Sequence, residues 1–537
     1  MERSLKEIRE KIQIDFLNYP LTILSWVQGA GKTWKALNYA KGLLETHKNS
    51  KIIYLSERHN KLNETEDFLK EYKPIHWEGF KRKCLRLDGE KDKLSSMKVP
   101  PRLICNNLCC DVDIKGCPYW RQFDKAKRLR HGIIIAPNNY LTFDLSSYKP
   151  VWLIVDEALL TFDTYKRMED FTKIKECDNK LYEKWKVGML TDVELRNHIT
   201  KVVNAKDYEL IESLIRLREH QYFLQYEEGL KDVAYNPHLW NVFDLIRKGI
   251  PVTLLDATFD KEIFDILLSR YREKKHPDFD YEPQIYDEKI KLDRKPRVFR
   301  LKPSSNYFKT EFDKYNKDLI WLLLTRLHEY EKETGVISYR DKVEYFAAPF
   351  DFRYLHFGGL SGLNELEDCD TLVIIGDPRL NNENKKEYYR KIFGEEPEIS
   401  FGEVKDRRYC RTEGNSKIDL INRIENNELL NAILRGRQLD RPKNTFLFGG
   451  NTKKEIEDLG FEYIEIGDDE EAKEIINSVI VPTPEIAKKI AINNLYESIE
   501  KGESKRGLFQ KYQKTFQCQY REFSNFRDFV IKRCLSQ

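Results

Sequence analysis

The chain has 537 residues, of which 34% are charged, 40% hydrophobic and 12% aromatic, with a net charge of +3. That length exceeds what one hydrophobic core sustains, and the composition is too rich in core formers for a disordered chain and too charged for a membrane protein. No apolar stretch approaches the ~18 residues that a bilayer span needs. The start, MERSLKEIREKIQIDF, is charged and amphipathic rather than a signal peptide, so a cytoplasmic location is expected.

In chain order, the apolar run LTILSWV from Leu21 meets the turn Gly29-Ala30-Gly31, and KTWKALNYAKGLLETHK then has helical period, with Leu37, Ala40 and Leu44 on one face. Further strand candidates are KIIYLSE from Lys51, GIIIAP from Gly132, VWLIVDE from Val151 and PVTLLDAT from Pro251. They are continuously apolar, without alternation, as buried strands of a parallel sheet covered by helices on both faces would be. Two stretches interrupt this series. Residues 81–130 hold 14 Lys and Arg against 6 Asp and Glu, an excess of 8 positive charges. Residues 160–250 contain long charged segments of helical period such as DYELIESLIRLREHQYFLQYEEGL. After a polar, Pro-containing connection near 274–310, strands return as GVISY from Gly335, FRYLHFG from Phe352, TLVIIGDP from Thr371 and NTFLFGG from Asn444, which predicts a second α/β domain. The end of the chain includes PTPEIAKKIAINNLYESIEKG and a basic aromatic tail, which predicts a small helical unit.

A phosphate-binding loop needs small residues that let backbone N–H groups approach phosphate oxygens, a Lys to neutralise charge, and a hydroxyl for Mg²⁺. VQGAGKT, ending in Gly29, Ala30, Gly31, Lys32 and Thr33, supplies all three, although Trp26 stands where such loops begin with glycine. VWLIVDEALL sets two acids directly after an apolar strand. There Asp156 is expected to hold Mg²⁺ and Glu157 to orient and deprotonate the attacking water, unless the pair merely caps the next helix. Hydrolysis that moves two lobes calls for a cation from the second lobe. Arg435 and Arg437 in LLNAILRGRQLDRP are the candidates, with Arg441 a third. Together these features predict an α/β chain of two RecA-like P-loop NTPase domains.

CPYWRQFDKAKRLRHGIIIAPNNYLTFD followed by VWLIVDEA resembles the segment that joins the iron–sulfur domain to motif II in XPD/DinG-type superfamily 2 DNA helicases. Cys117-Pro118-Tyr119, Asn139-Tyr140-Leu141 and Asp156-Glu157-Ala158-Leu159 stand in the family's places. Asp256-Ala257-Thr258 is similar to motif III, and GGLSGLNELEDCD from Gly358 to motif V. The chain departs from the family in Leu159 for His, Asp256 for Ser, and Asn431 for the leading Gln of motif VI.

The resemblance implies a first RecA-like domain made of residues 1–80, 131–159 and 251–275. It is interrupted by a metal-cluster insertion at 81–130 and a helical, arch-like insertion at 160–250. A second RecA-like domain follows at 276–450, then a C-terminal helical region at 451–537.

Five of the ten cysteines fall between Cys84 and Cys117. Such clustering in a cytosolic protein favours a metal over disulfides; spacing alone leaves [4Fe–4S] and Zn²⁺ both open, and unliganded buried thiols are the remaining alternative. The resemblance favours the cluster, on Cys84, Cys105, Cys117 and either Cys109 or Cys110, with Cys109 preferred. It also implies an ATP- and Mg²⁺-dependent helicase that tracks 5′ to 3′ on single-stranded DNA and acts on forked or tailed duplexes. Backbone tracking reads little of base or sugar, so RNA stays open as a substrate. An ATP-switched binding or remodelling factor without unwinding is the competing reading. The tail interleaves Phe509, Tyr512, Phe516, Tyr520, Phe523, Phe526 and Phe529 with Lys and Arg, as a base-stacking surface or a small helical core would.

Overall fold

The computed structural model describes residues 2–27, 29–56, 59–84, 89–96, 101, 104–105, 116–157, 162–166, 175–186, 191–204, 207, 210, 214, 233–292, 295–301, 317–357, 365–376, 378, 380, 382–395, 416–435, 439, 441, 443–449, 453–501 and 504–516. Seventeen strands are found among them: β1 Glu2–Ser4, β2 Leu21–Leu24, β3 Lys51–Ser56, β4 Ile75–His76, β5 Gly132–Pro137, β6 Trp152–Asp156, β7 Phe162–Lys166, β8 Val233–Pro237, β9 Val252–Leu255, β10 Gln284–Tyr286, β11 Lys289–Lys291, β12 Arg297–Leu301, β13 Thr334–Ser338, β14 Arg353–His356, β15 Thr371–Ile375, β16 Asn444–Phe448 and β17 Glu462–Ile466. Most belong to two separate sheets, ordered β10-β2-β9-β6-β3-β5-β4 and β14-β13-β15-β16-β12-β17. Every pairing within these two sheets is parallel. The chain is therefore an α/β protein with two parallel sheets, in two compact units: residues 1–293 with 379–427, and residues 294–378 with 428–537.

The continuous apolar runs have a direct physical cause. In the first sheet, Ile53, Leu55, Leu153 and Val155 point into one core, while Ile52, Tyr54, Trp152 and Ile154 point into another on the opposite face. Side chains alternate across a strand, so a strand buried on both faces needs apolar residues at every position. In the second sheet, Phe299, Val336, Val373, Phe446 and Phe448 share a core with Ile320, Leu323 and Leu324 of the helix Lys317–Glu329 and Ile476 of the helix Asp469–Val479.

Several boundaries differ from the expected ones. β10 and β11 fall beyond 275 yet pair with β2 and β1, because the first unit extends into the polar connection as far as residue 293. The segment 379–427, expected in the second domain, clusters with the first. Tyr389, Ile392, Leu420 and Ile421 share a core with Trp240 and Phe264, and Arg270 donates at 2.8 Å to the carbonyls of both Lys391 and Ile392. The insertion at 160–250 is not purely helical. β7 and β8 form an antiparallel pair, and the helix His238–Arg247 buries Leu239, Trp240, Val242 and Phe243 in the first core. Most of DYELIESLIRLREHQYFLQYEEGL lies outside the described residues. The C-terminal region contributes a strand, β17, to the second sheet before its helices Pro484–Glu500 and Lys505–Phe516. Of the tail's aromatics, those from Tyr520 onward lie outside the described residues. Among the described residues no helix is long and apolar enough to cross a membrane.

Candidate nucleotide-binding site

The candidate residues gather at the carboxyl ends of β2, β9 and β6, which are neighbours in the first sheet. In open parallel sheets this edge is where ligands bind, because loops and helix N-termini converge there. The three strands are tied together just beyond their ends: Asp256 N donates to Leu24 O at 3.1 Å, and Glu157 N donates to Leu255 O at 2.9 Å.

The loop after β2 turns through Gly29 and Gly31, whose φ of 85° and 97° lie in the left-handed region where a side chain would be strained. Gly31 is the N-cap of the helix Lys32–Thr46. A Cβ at Gly31 would also meet the Arg9 side chain at 3.4 Å. Arg9 Nη2 donates to Gly29 O at 2.6 Å and its Nε to Ala30 O at 3.4 Å, while Lys35 Nζ donates back to Arg9 O at 2.9 Å. The N-terminal helix Leu5–Glu10 thus braces the loop from behind. Trp26, at the position of the usual first glycine, is 1% exposed and donates its indole N–H to Glu288 at 2.5 Å. Ser25 donates through both N and Oγ to Tyr286 O, at 3.0 and 3.1 Å. The departure at Trp26 therefore anchors the loop's start to β10 and its flank.

Lys32 is 9% exposed and donates to Trp26 O at 2.6 Å. Burial pushes its ammonium down to about 8. The nearby carboxylates of Asp156, Glu157 and Asp256 oppose that shift, and the positive charge of Lys61 adds to it. Asp156, 1% exposed, ends β6 and concentrates its contacts on one oxygen. Oδ2 accepts from Thr33 Oγ1 at 3.2 Å and Tyr54 Oη at 2.9 Å, and pairs with Lys61 Nζ at 2.5 Å. Burial beside Asp156 holds the Tyr54 phenol well above its ordinary range, so it stays a donor.

Glu157 has a φ of 59°, a conformation that costs a non-glycine residue roughly 1–2 kcal/mol. Asn138 supports this turn by donating its side-chain amide to Asp156 O at 2.8 Å and to Glu157 O at 3.4 Å. In the motif III segment, Thr258 donates through N and Oγ1 to Asp256 Oδ1, both at 2.8 Å.

The donor set fits a nucleotide with Mg²⁺. A hydroxyl and a carboxylate, Thr33 and Asp156, meet beside a glycine turn that opens a helix, with an ammonium alongside. Lys32, Thr33, Asp156 and Glu157 are thus brought together, whereas Arg435 and Arg437 belong to the other unit's part of the chain. Arg435 is 6% exposed at the end of the helix Ser416–Leu434, Arg437 lies outside the described residues, and Arg441 pairs with Asp368 at 3.3 Å.

The cysteines give a different result. Cys84, Cys105 and Cys117 pack against one core, and Trp120 donates its indole N–H to the Cys105 sulfur at 3.4 Å. Among the described residues, however, no three His, Cys, Asp or Glu side chains form a group that could hold a metal ion. Cys109 and Cys110 lie outside the described residues, as does Leu159. The expected cluster insertion is therefore not a metal centre on the described thiols alone.

Sequence reasoning missed Arg9, Tyr54, Lys61 and Asn138. Only Tyr54 carried a signal, as a phenol inside an otherwise apolar strand, since a buried Tyr hydroxyl needs a partner.

No known protein family matches the chain, and no curated protein does. Among solved structures, it is similar to the DEAD-box helicase Mss116 bound to ssRNA and UDP-BeF, with 10% identity, 98% of this chain and 85% of the other covered, and a TM-score of 0.37. It is also similar to S. cerevisiae Dbp5 bound to RNA and ADP BeF3, with 9% identity, 86% and 89% covered, and a TM-score of 0.37. A third is a DEAD box protein from the hyperthermophile Methanococcus jannaschii, with 10% identity, 86% and 92% covered, and a TM-score of 0.29. Likenesses this loose carry nothing over to the chain, whose reading rests on its own residues.

Proposed function

We propose that the chain is an ATP-hydrolysing nucleic-acid motor of the superfamily 2 helicase type, with its two parallel sheets as paired RecA-like domains. The observation that carries this reading is the approach of Thr33 Oγ1 to Asp156 Oδ2, 3.2 Å, at the mouth of a glycine turn. Two oxygen ligands of the kind Mg²⁺ prefers thus face a helix N-terminus suited to phosphate.

Gly29, Ala30, Gly31, Lys32 and Thr33 cradle the phosphates, with Lys32 supplying positive charge. Mg²⁺, when bound, neutralises phosphate charge and is held by Thr33 and Asp156. Glu157 orients the attacking water and accepts its proton, and its strained backbone fits a side chain aimed for function rather than packing. Arg435 or Arg437 supplies the cation that stabilises charge developing in the transition state. Single-stranded DNA, in forked or tailed duplexes, is the proposed track, with 5′ to 3′ movement and a [4Fe–4S] centre on Cys84, Cys105, Cys109 and Cys117. These last three points are supported by the resemblance at Cys117-Pro118-Tyr119 and Asn139-Tyr140-Leu141.

The deciding experiment compares ATP turnover, with and without oligonucleotide, in the parent, Lys32→Ala and Glu157→Gln. Both variants should lose hydrolysis, and Glu157→Gln should still bind ATP. Glu157→Gln turning over at the parental rate would remove the assignment of the base. A parental ATPase indifferent to any nucleic acid would favour the partner-remodelling switch.

A further inference from the structure

A second feature of the first unit lies apart from the nucleotide site. Along the outer edge of β4, a cleft of about 790 Å³ opens between the helix His59–Phe68 and the helix Pro118–Arg128. β4 is the last strand of its sheet, five strands from β2, which at ~4.8 Å per strand is roughly 24 Å away. Five cations line the cleft: Lys73, Arg82, Lys83, Arg121 and Lys125. The two acids in the wall are already engaged, Glu78 with Lys83 and Glu66 with His76, the latter at 2.7 Å. Lys83 holds the Glu78 carboxyl below the usual carboxylate range. Lys73, Arg82, Arg121 and Lys125 are exposed, and no ion pair joins any of them to another described residue.

We infer that this cleft is an accessory groove for the phosphodiester backbone of a nucleic-acid strand, outside the ATP site. The inference rests on the motor reading and deepens it. Four like charges converging on one concave surface repel one another, and in a protein of nearly neutral total charge that arrangement is relieved by a polyanion. The volume accommodates a few nucleotide units rather than a single ion. Among the described residues no aromatic ring apart from His76 lines the cleft, so they offer bases nothing to stack on and read phosphate without sequence. β4 has only two residues, too short a ladder for a peptide to add as a further strand, which argues against an acidic segment as the occupant.

The test measures fluorescence anisotropy of labelled oligothymidylate and oligouridylate against salt, for the parent, for the Arg121→Gln/Lys125→Gln variant, and for the variant with Lys73, Arg82, Arg121 and Lys125 all replaced by Glu. Each lost phosphate contact should lower the slope of log affinity against log salt by roughly 0.7, so the double variant should lose up to about 1.4. ATP-analogue binding should be unchanged in both. A parent that binds neither oligonucleotide would overturn the motor reading itself. A parent that binds, with a correctly folded double variant of identical affinity and slope, would overturn the groove alone. Competition by polyglutamate as strong as by oligonucleotide, lost in the variants, would reassign the cleft to an acidic protein.

Discussion

Lys61 Nζ lies 2.5 Å from Oδ2 of Asp156, the oxygen that also accepts from Thr33 and Tyr54. Asp156 is the carboxylate proposed to hold Mg²⁺, so the ammonium and the metal compete for one oxygen. Opposite charges at this distance attract strongly where solvent is scarce, and Asp156 is 1% exposed. Lys61→Met, which removes the charge and keeps the length, should therefore raise apparent Mg²⁺ affinity on the order of tenfold. Mg²⁺ titration of fluorescent-nucleotide binding measures this directly. An unchanged or weaker affinity would show that Lys61 supports the carboxylate instead of competing for it.

Arg9 makes a different kind of contribution, because its partners are backbone carbonyls of the loop. Charged hydrogen bonds are worth about 1.5–3 kcal/mol, and here they hold a turn built on two left-handed glycines. Arg9→Ala should weaken ATP-analogue binding about 10- to 100-fold while the melting temperature moves little, since Ile8 rather than Arg9 is the buried residue of that helix. Wild-type affinity in a folded Arg9→Ala protein would mean that the loop holds its shape without the brace.

How far the sequence discloses this site follows from the physics of each part. β2, β3, β5, β6 and β9 were legible because burial on both faces leaves an unbroken apolar run, and Gly29 and Gly31 because their backbone angles exclude other residues. Arg9 and Lys61 were not legible, since each meets its partner through the fold, 20 and 95 positions away in the chain, on short helices with no distinctive pattern. β4 and β10 were missed because two or three residues give no periodicity to read. The segment 379–427 was misplaced because the order of elements along the chain says nothing about which sheet a helix packs on. Cys84, Cys105 and Cys117 show the converse: clustering in sequence is compatible with three thiols that pack in a core.

The thiols therefore lead to a separate measurement. Anaerobically purified protein should be yellow-brown and contain iron in [4Fe–4S] stoichiometry, and Cys117→Ser should lose both. Because Cys105 is 2% exposed and already accepts from Trp120, its substitution by Ser should also destabilise the core, whether or not metal is bound. Zinc without iron would move the set to a structural zinc site. Protein without either metal would leave the three described cysteines as packing groups, and the resemblance at Cys117-Pro118-Tyr119 would then carry no cofactor.

Lys32 gives the proposed ATP site a pH dependence of definite sign. Its ammonium titrates near 8 in the folded chain against an ordinary value of 10.5, chiefly because it is buried. Below about 8 it is charged in both the folded and the unfolded chain, so the full cost of burying the charge weighs on stability. Between about 8 and 10.5 the folded chain has released the proton while the unfolded chain retains it, so stability rises with pH across that window. Nucleotide binding runs the other way. The phosphates require the ammonium, so at alkaline pH binding must take up a proton, and affinity should fall above about pH 8 by up to about tenfold per unit. Equilibrium binding of a non-hydrolysable ATP analogue from neutral to alkaline pH would show the decline. Lys32→Met should bind weakly with little pH dependence, and its melting temperature should not share the alkaline rise. An affinity flat across this range in the parent would mean that Lys32 keeps its proton throughout, and that the carboxylates of Asp156, Glu157 and Asp256 outweigh its burial.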